Sequence, residues 1–341
     1  MKVSLLGLPA SGKSLILETL TGTKNTGLKE ENMYSIKVPD ERIEYLKNIY
    51  NPKKSTLAEI VLIDYNIQND KKEVIASKIK NLIQKSDILL FILRNFNTFL
   101  TDSPLDPALE YAKLKDEIIL TDCLTIEKRL ERESRERKNT PDINVIKKIL
   151  TILESNKFPK ESDFSAEDLK QIANYNFLSL KKIIAIVNQE EGKSEIPTAL
   201  ADIFKKDNIS YFSISAVIEN ELNTIPPADR GVFLQEYGLS ESANTRMIKH
   251  IYKELGYISF LTTGEDEVRA WPIKSGLNAW QAAGKIHSDI EKGFIRAEVI
   301  GYDDFIKYNS EAECKKAGKF RLEGKEYIVK DGDIINFRFN L

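Results

Sequence analysis

The residues best placed to do chemistry lie near the start of the chain. Gly7-Leu8-Pro9-Ala10-Ser11-Gly12-Lys13-Ser14 satisfies G-x-x-x-x-G-K-[ST]. It follows an apolar run and precedes a helical pattern, the context in which that spacing holds a phosphate. The glycines let the backbone curl so that successive N–H groups face one anion, and the helix start adds its positive end. Gly7, Pro9, Ala10, Ser11, Gly12, Lys13, Ser14 and Leu15 are therefore the expected nucleotide-contacting set. Lys13 is expected to reach the β- and γ-phosphates and Ser14 to give its hydroxyl to Mg²⁺. The pattern does not choose the reaction, because ATPases, GTPases and small-molecule kinases share it.

Three later segments narrow the choice. The apolar run 60–63 ends at Asp64, where a carboxylate can hold Mg²⁺ through water. GTPases continue D-x-x-G from such a residue; this chain reads Asp64-Tyr65-Asn66-Ile67, with Ile67 in the glycine position. After the run 183–187 comes Asn188-Gln189-Glu190-Glu191, where GTPases carry N-K-x-D. Asn188 is expected to orient the loop and the base. The longer Glu191 and the missing lysine weaken a guanine clamp. After the run 211–214, Ser215-Ala216-Val217 stands where an S-A-x backbone touches the base.

These residues need elements to hold them in place. Runs 3–6, 34–38, 60–63, 88–93, 183–187 and 211–214 read as strands. Helical patterns cover 14–20, 41–49, 74–84 and the neighbourhood of Ile203. Strands alternating with helices predict an α/β fold with a mostly parallel sheet covered on both faces. The alternation breaks at about 115–176, which predicts an inserted helical hairpin. Its first arm carries six basic and four acidic residues over 127–138. That arm is either a solvated helix laced with i,i+4 ion pairs or a partner-contacting arm. A helix is expected over 242–255. After Gly256 the texture becomes short strands (258–262, 268–273, 296–300, 327–329 and 334–339) around a helix at 277–287. The expected division is a nucleotide-binding domain over 1–256 and a small α+β domain over 257–341.

Composition bounds the partners. With 341 residues, 50 Lys+Arg and 52 Asp+Glu, the net charge is −2, which supplies no global pull toward nucleic acid or anionic membrane. Residues from Tyr257 onward hold 13 basic and 14 acidic side chains, so strong sequence-independent RNA binding is not expected of that domain. Lys315, Lys316, Lys319 and Arg321 could form a local basic face, but a solvated helix face fits them better. No apolar run reaches the roughly 18 residues that span a bilayer. Cys123 and Cys314 form no disulfide framework, and with His250 and His287 they lack zinc-ligand spacing. The expectation is a reduced, cytoplasmic monomer without membrane contact. His287, next to Ser288 and Asp289, tempts a catalytic reading; a structural or surface role fits its place better. Trp271 and Trp280 are expected in core or docking roles, and Cys123 packed in a helix.

Over nearly its whole length the chain resembles the YchF-type Obg-like ATPase family. GLPASGKS, Val38-Pro39-Asp40-Glu41-Arg42-Ile43, Asn51-Pro52-Lys53-Lys54, Glu127-Lys128-Arg129-Leu130 and Asn188–Glu191 carry the likeness in the first part. Glu267-Val268-Arg269-Ala270-Trp271, Gln281-Ala282-Ala283-Gly284, the stretch 287–299 and Asp331-Gly332-Asp333 resemble the family's TGS-type, ubiquitin-like terminus. The resemblance implies a P-loop GTPase fold, acceptance of ATP (or GTP) with Mg²⁺ through N-x-x-E, and a ribosome or RNA partner. The switch regions depart from it. Residues 22–33 are short and charged, and neither Thr23 nor Thr26 can be assigned as the switch threonine. Residues 68–80 lack glycine where the family is glycine-rich. Slow hydrolysis by a nucleotide-dependent switch and binding by a hydrolysis-deficient scaffold both stay open, while a small-molecule kinase would need an arginine-bearing lid. No catalytic residue can be named.

Overall fold

The computed structural model describes residues 1–23, 31–65, 83–102, 104–136, 140–193, 195–226, 228–236 and 239–340. In chain order its elements are β1 (Lys2–Gly7), α1 (Lys13–Thr21), β2 (Glu31–Lys37), α2 (Glu41–Tyr50), β3 (Lys54–Thr56), β4 (Glu59–Tyr65) and β5 (Ile88–Asn95). Then come α3 (Pro107–Glu136), α4 (Asp142–Glu154), α5 (Ala166–Ile172), β6 (Lys182–Gln189), α6 (Thr198–Asp207), β7 (Ser210–Ile214), α7 (Ala216–Thr224), α8 (Arg230–Glu236) and α9 (Ala243–Glu254). The C-terminal elements are β8 (Tyr257–Thr262), β9 (Glu267–Lys274), α10 (Ala279–Ile286), α11 (Ser288–Lys292), β10 (Phe294–Gly301), α12 (Tyr302–Tyr308), α13 (Glu311–Lys316), β11 (Arg321–Glu323) and β12 (Asp333–Phe339). Contacts divide the chain into two units, Met1–Ser35 with Val61–Asn244, and Ile36–Ile60 with Thr245–Leu341. The second unit therefore draws on residues from both sides of position 256.

The first unit is built on a sheet of order β2-β4-β1-β5-β6-β7. Pairs β1–β4, β1–β5, β5–β6 and β6–β7 are all parallel. Ile-Leu-Leu-Phe-Ile-Leu on β5 and Ile-Ile-Ala-Ile-Val on β6 are buried throughout, as strands covered on both faces must be. The register sets Gly7 beside Ile92, Arg94 beside Asn188, and Asn188 beside Ile214. The loops that follow β1, β6 and β7 thus leave the same carboxyl edge of the sheet, where open α/β sheets bind ligands.

The helical insertion differs from its expected outline. Its first helix does not begin near 115 but runs 30 residues from Pro107. Asp106 accepts from the Leu109 N–H at 3.0 Å, and proline at the first helical position gives up no needed donor. The first half of α3 presses Tyr111, Leu114 and Ile118 onto the sheet core. Further along, Ile126 joins Val145, Ile146, Ile149 and Leu153 of α4 in a separate arm core. Each such side chain, fully buried, stabilises by about 1.5–3 kcal/mol, whereas an i,i+4 ion pair gives about 0.3–0.5 kcal/mol. The apolar stripe holds the arm. The pairs Arg132–Glu136 and Arg135–Glu131 only decorate its solvated side.

The second unit has a mixed sheet of order β11-β10-β12-β8-β9-β3. Ile43 and Leu46 of α2 pack with Leu261, Val268, Ile300, Phe305 and Ile334, and β3 pairs with β9 in parallel. This is why segment 36–60 groups with the C-terminal residues. Residues 327–329 do not form the expected strand. Ala279 N–H donates to Tyr327 O and Val329 N–H to Leu277 O, so this backbone serves the start of α10, leaving one isolated bridge at Ile328. The α10 helix itself is shorter than expected because Asn278 caps it, accepting from Gln281 N–H at 2.9 Å. Among the described residues no helix is long and apolar enough to cross a membrane.

Candidate nucleotide-binding site

The phosphate loop is shaped by backbone. Ser11 N–H donates to Leu8 O at 3.1 Å, and Ala10 and Gly12 sit at φ 63° and 84°. A non-glycine residue in that region is strained, and such strain gathers at functional sites. At Gly7 a Cβ would meet Ser11 Oγ at 2.5 Å and Ile92 O at 3.0 Å. At Gly12 it would meet Asn188 Nδ2 at 2.1 Å. The first turn of α1 contains no acidic residue, and Gly12 offers no side chain to cap it. The positive end of the helix is left for an anion. Ile16 and Leu17 anchor the helix in the core.

Next to this loop, Lys13 Nζ donates to Asp64 Oδ1 at 2.5 Å. Asp64 is only 1% exposed and Lys13 20% exposed. Ser14 faces solvent one position on, with Pro9 exposed and Ala10 and Leu15 half-buried. Tyr34 on β2 belongs to the same neighbourhood. Burial, and then the charge of Asp64, push its phenol above the ordinary range.

On the other side of the loop, Asn188 bridges two segments. Its Nδ2 donates to Ser11 O at 3.3 Å, and its Oδ1 accepts from Ala216 N–H at 3.1 Å. The phosphate loop, the end of β6 and the turn after β7 are therefore joined by one side chain. Ser215 stands at the N-cap of α7 without a side-chain cap bond; Ala216 is buried and Val217 is exposed. Glu191 is exposed in the turn beyond β6, which passes through Gly192 at φ 75°. Of the expected set, Gly7, Ser11, Gly12, Lys13, Asp64, Asn188 and Ala216 lie in one connected cluster. Glu191 and Val217 lie at its exposed margin. Ile67, Thr26 and most of both expected switch segments lie outside the described residues.

Sequence reasoning passed over several residues here. Gln189 and Asn95 bond to each other at the ends of β6 and β5. Arg94 is buried against Glu110 at 3.2 Å and donates to Pro104 O at 2.9 Å. The signal that could have found them is a run of polar residues at carboxyl strand ends, Arg94-Asn95 and Asn188-Gln189.

His287 caps α11, its Nδ1 accepting from Asp289 N–H at 3.2 Å. Trp271 donates to Thr262 Oγ1 and is covered by the Arg269 guanidinium 3.8 Å from its ring centre. Lys316, Lys319 and Arg321 are each paired with acids, Glu313, Asp304 and Glu323, which fits a solvated face.

Comparison with known proteins agrees with this geometry. Residues 257–340 match the family model YchF-GTPase_C, described as a protein of unknown function (DUF933). The chain is 33% identical over 364 residues to the Ribosome-binding ATPase YchF of Bacillus subtilis (strain 168), covering 100% of both. It is 34% identical over 360 residues to the protein of the same name from Escherichia coli O157:H7, covering 100% of this chain and 99% of that one. The solved Schizosaccharomyces pombe YchF GTPase superposes with a TM-score of 0.85 at 25% identity, covering 99% of this chain and 97% of that one. A phosphate loop at the carboxyl edge of a parallel sheet and full-length likeness at this level have one reading: the chain belongs to the YchF family.

Proposed function

We propose that this protein binds ATP with Mg²⁺ through the cluster around Lys13 and Asn188, hydrolyses it slowly, and acts as a ribosome-associated switch. The observation that carries this reading is the joining of Ser11, Lys13, Asp64, Asn188 and Ala216 at one sheet edge. Lys13 pairs with Asp64. A triphosphate offers it a stronger partner, and the positive N-terminal end of α1 adds to the cradle. The exposed Ser14 hydroxyl and the Asp64 carboxylate fit a magnesium ion, which takes one or two protein oxygens and keeps phosphate and water as its other ligands. When bound, that ion neutralises charge on the phosphates. The Ser215–Val217 backbone and the turn bearing Glu191 are assigned to the base side in this reading. A glutamate in place of aspartate favours adenine over guanine in this reading.

The unit of residues 1–35 and 61–244 is assigned the nucleotide work, and residues 257–341, a TGS-like module within the second unit, the docking work. Ribosome association is carried over from the printed names of the Bacillus subtilis and Escherichia coli relatives. Ile67, where γ-phosphate sensing uses glycine, favours a second reading, a nucleotide-binding scaffold that does not hydrolyse. The test is titration with labelled ATP and GTP in Mg²⁺, following phosphate release in the same samples. Tighter ATP binding with slow release supports the switch. Binding without release supports the scaffold. A clear preference for GTP overturns the adenine assignment.

A further inference from the structure

Where N-K-x-D places a lysine, this chain places Gln189, and the glutamine does not face solvent. It is only 2% exposed, and every hydrogen-bonding atom of its carboxamide is engaged. Its Oε1 accepts from Asn95 Nδ2 at 2.6 Å. Its Nε2 donates to Ser213 Oγ at 3.0 Å and to Glu195 O at 3.2 Å. Those partners lie at the end of β5, near the end of β7, and at the far end of the turn that carries Glu191. Asn95 also holds the near end of that turn, its carbonyl accepting from Glu190 N–H at 3.3 Å. Between the two anchors, Lys193 N–H donates to Glu190 O at 3.1 Å, and the Lys193 ammonium pairs with the Glu190 carboxylate at 2.6 Å.

We infer that Gln189 is a positioning residue for base recognition: with Asn95 it pins both ends of the Glu190–Glu195 turn and so sets the part of nucleotide affinity that depends on the base. The inference rests on the nucleotide-binding reading above and adds a division of labour to it. Asn188, one residue earlier, touches the phosphate loop through Ser11 O. Gln189 makes no bond to the phosphate loop; its side-chain bonds all go to the sheet edge and the turn. Of these neighbouring amides, Asn188 joins the phosphate loop to the turn after β7, while Gln189 serves the base side alone. A buried amide stripped of its function leaves Asn95, Ser213 and Glu195 O short of partners, and the turn gains freedom that a bound base must then remove.

The experiment compares Mg²⁺–ATP, Mg²⁺–GTP and Mg²⁺–tripolyphosphate, the last carrying phosphates without a base, by calorimetric titration of the full chain. In Gln189→Leu, similar in size and without hydrogen bonds, ATP affinity is expected to fall about tenfold. Tripolyphosphate affinity stays within about twofold, and the ATP-to-GTP ratio moves toward one. Ser213→Ala, which removes a single bond, gives a smaller loss of the same kind and guards against misfolding of the leucine variant. Unchanged ATP affinity and selectivity in both variants would overturn the inference. So would equal losses for ATP and tripolyphosphate, which mark a general effect on the fold. A wild-type chain that binds tripolyphosphate as well as ATP overturns the inference alone. A wild-type chain that binds neither removes the nucleotide reading itself, and the inference with it.

Discussion

The two halves of the site are built from different materials. The phosphate half is backbone: Ala10 and Gly12 at positive φ, and Gly7 and Gly12 packed so closely that no Cβ fits. The base half is side-chain amide: Asn95, Asn188 and Gln189 tying three strand ends and a turn. A backbone cradle leaves the sequence little freedom, because each substitution alters the shape itself. An amide network can exchange members while its geometry survives, provided every buried donor and acceptor keeps a partner. This contrast accounts for a phosphate loop that keeps its full pattern beside a base motif that reads Asn-Gln-Glu-Glu.

The most severe way to break the contrast is Gly12→Ala. The left-handed conformation costs an alanine about 1–2 kcal/mol, and the new methyl displaces the Asn188 amide from two bonds of about 1 kcal/mol each. The expected result is loss of measurable ATP binding together with about 2–4 kcal/mol of stability, read by titration and by urea denaturation. Lys13→Ala is expected to abolish ATP binding as completely while the chain stays folded, since the partly exposed lysine adds charge rather than shape. ATP affinity within a few fold of wild type in either variant would mean that the backbone cradle is not the phosphate site.

Asn188→Ala sharpens the comparison, because Asn188 belongs to both halves. It loses the bonds to Ser11 O and Ala216 N–H, and about 1–2 kcal/mol of binding, some 5- to 30-fold, should follow. The loss should appear for ATP and for tripolyphosphate alike. A loss confined to ATP would place Asn188 wholly on the base side and move the boundary between the halves to Ser11.

What could be read from the sequence follows the same division. Glycine spacing between an apolar run and a helix marks the cradle directly, since only particular residues tolerate those backbone angles. Alternating buried runs revealed the parallel sheet for a similar reason, as strands such as β5 have no polar face to hide. Gln189 escaped notice because an amide in a loop motif looks like any solvated polar residue until its partners are known, and Asn95 and Ser213 are remote in sequence. Chain order alone puts segment 36–60 with the nucleotide domain; its place with residues beyond 244 depends on β3 pairing with β9 and on α2 packing against the same sheet. Neither contact leaves a local mark. The 327–329 run misled because Tyr327, Ile328 and Val329 have strand propensity while their backbone bonds go to the start of α10.

The smallest effect is expected at another side-chain network, the clamp between α3 and α4. Arg129 Nε donates to the Tyr175 hydroxyl at 2.8 Å, and that hydroxyl donates to Asp142 Oδ2 at 2.5 Å. Burial pushes the Asp142 carboxyl up, but hydrogen bonds from Thr140 and Tyr175 and the Arg129 charge outweigh it and hold the group below the ordinary carboxylate value. A depressed folded-state pKa makes the carboxylate stabilising above its unfolded value, near 3.9, and that contribution is lost as pH falls through the lower folded value. Asp142→Asn should therefore lower stability by about 1 kcal/mol or less at pH 7 and flatten the fall in melting temperature below about pH 5. ATP affinity at pH 7 should not change. An affinity loss like that of Asn188→Ala would instead join the arm to the nucleotide site and make the amide network one part of a larger coupled system.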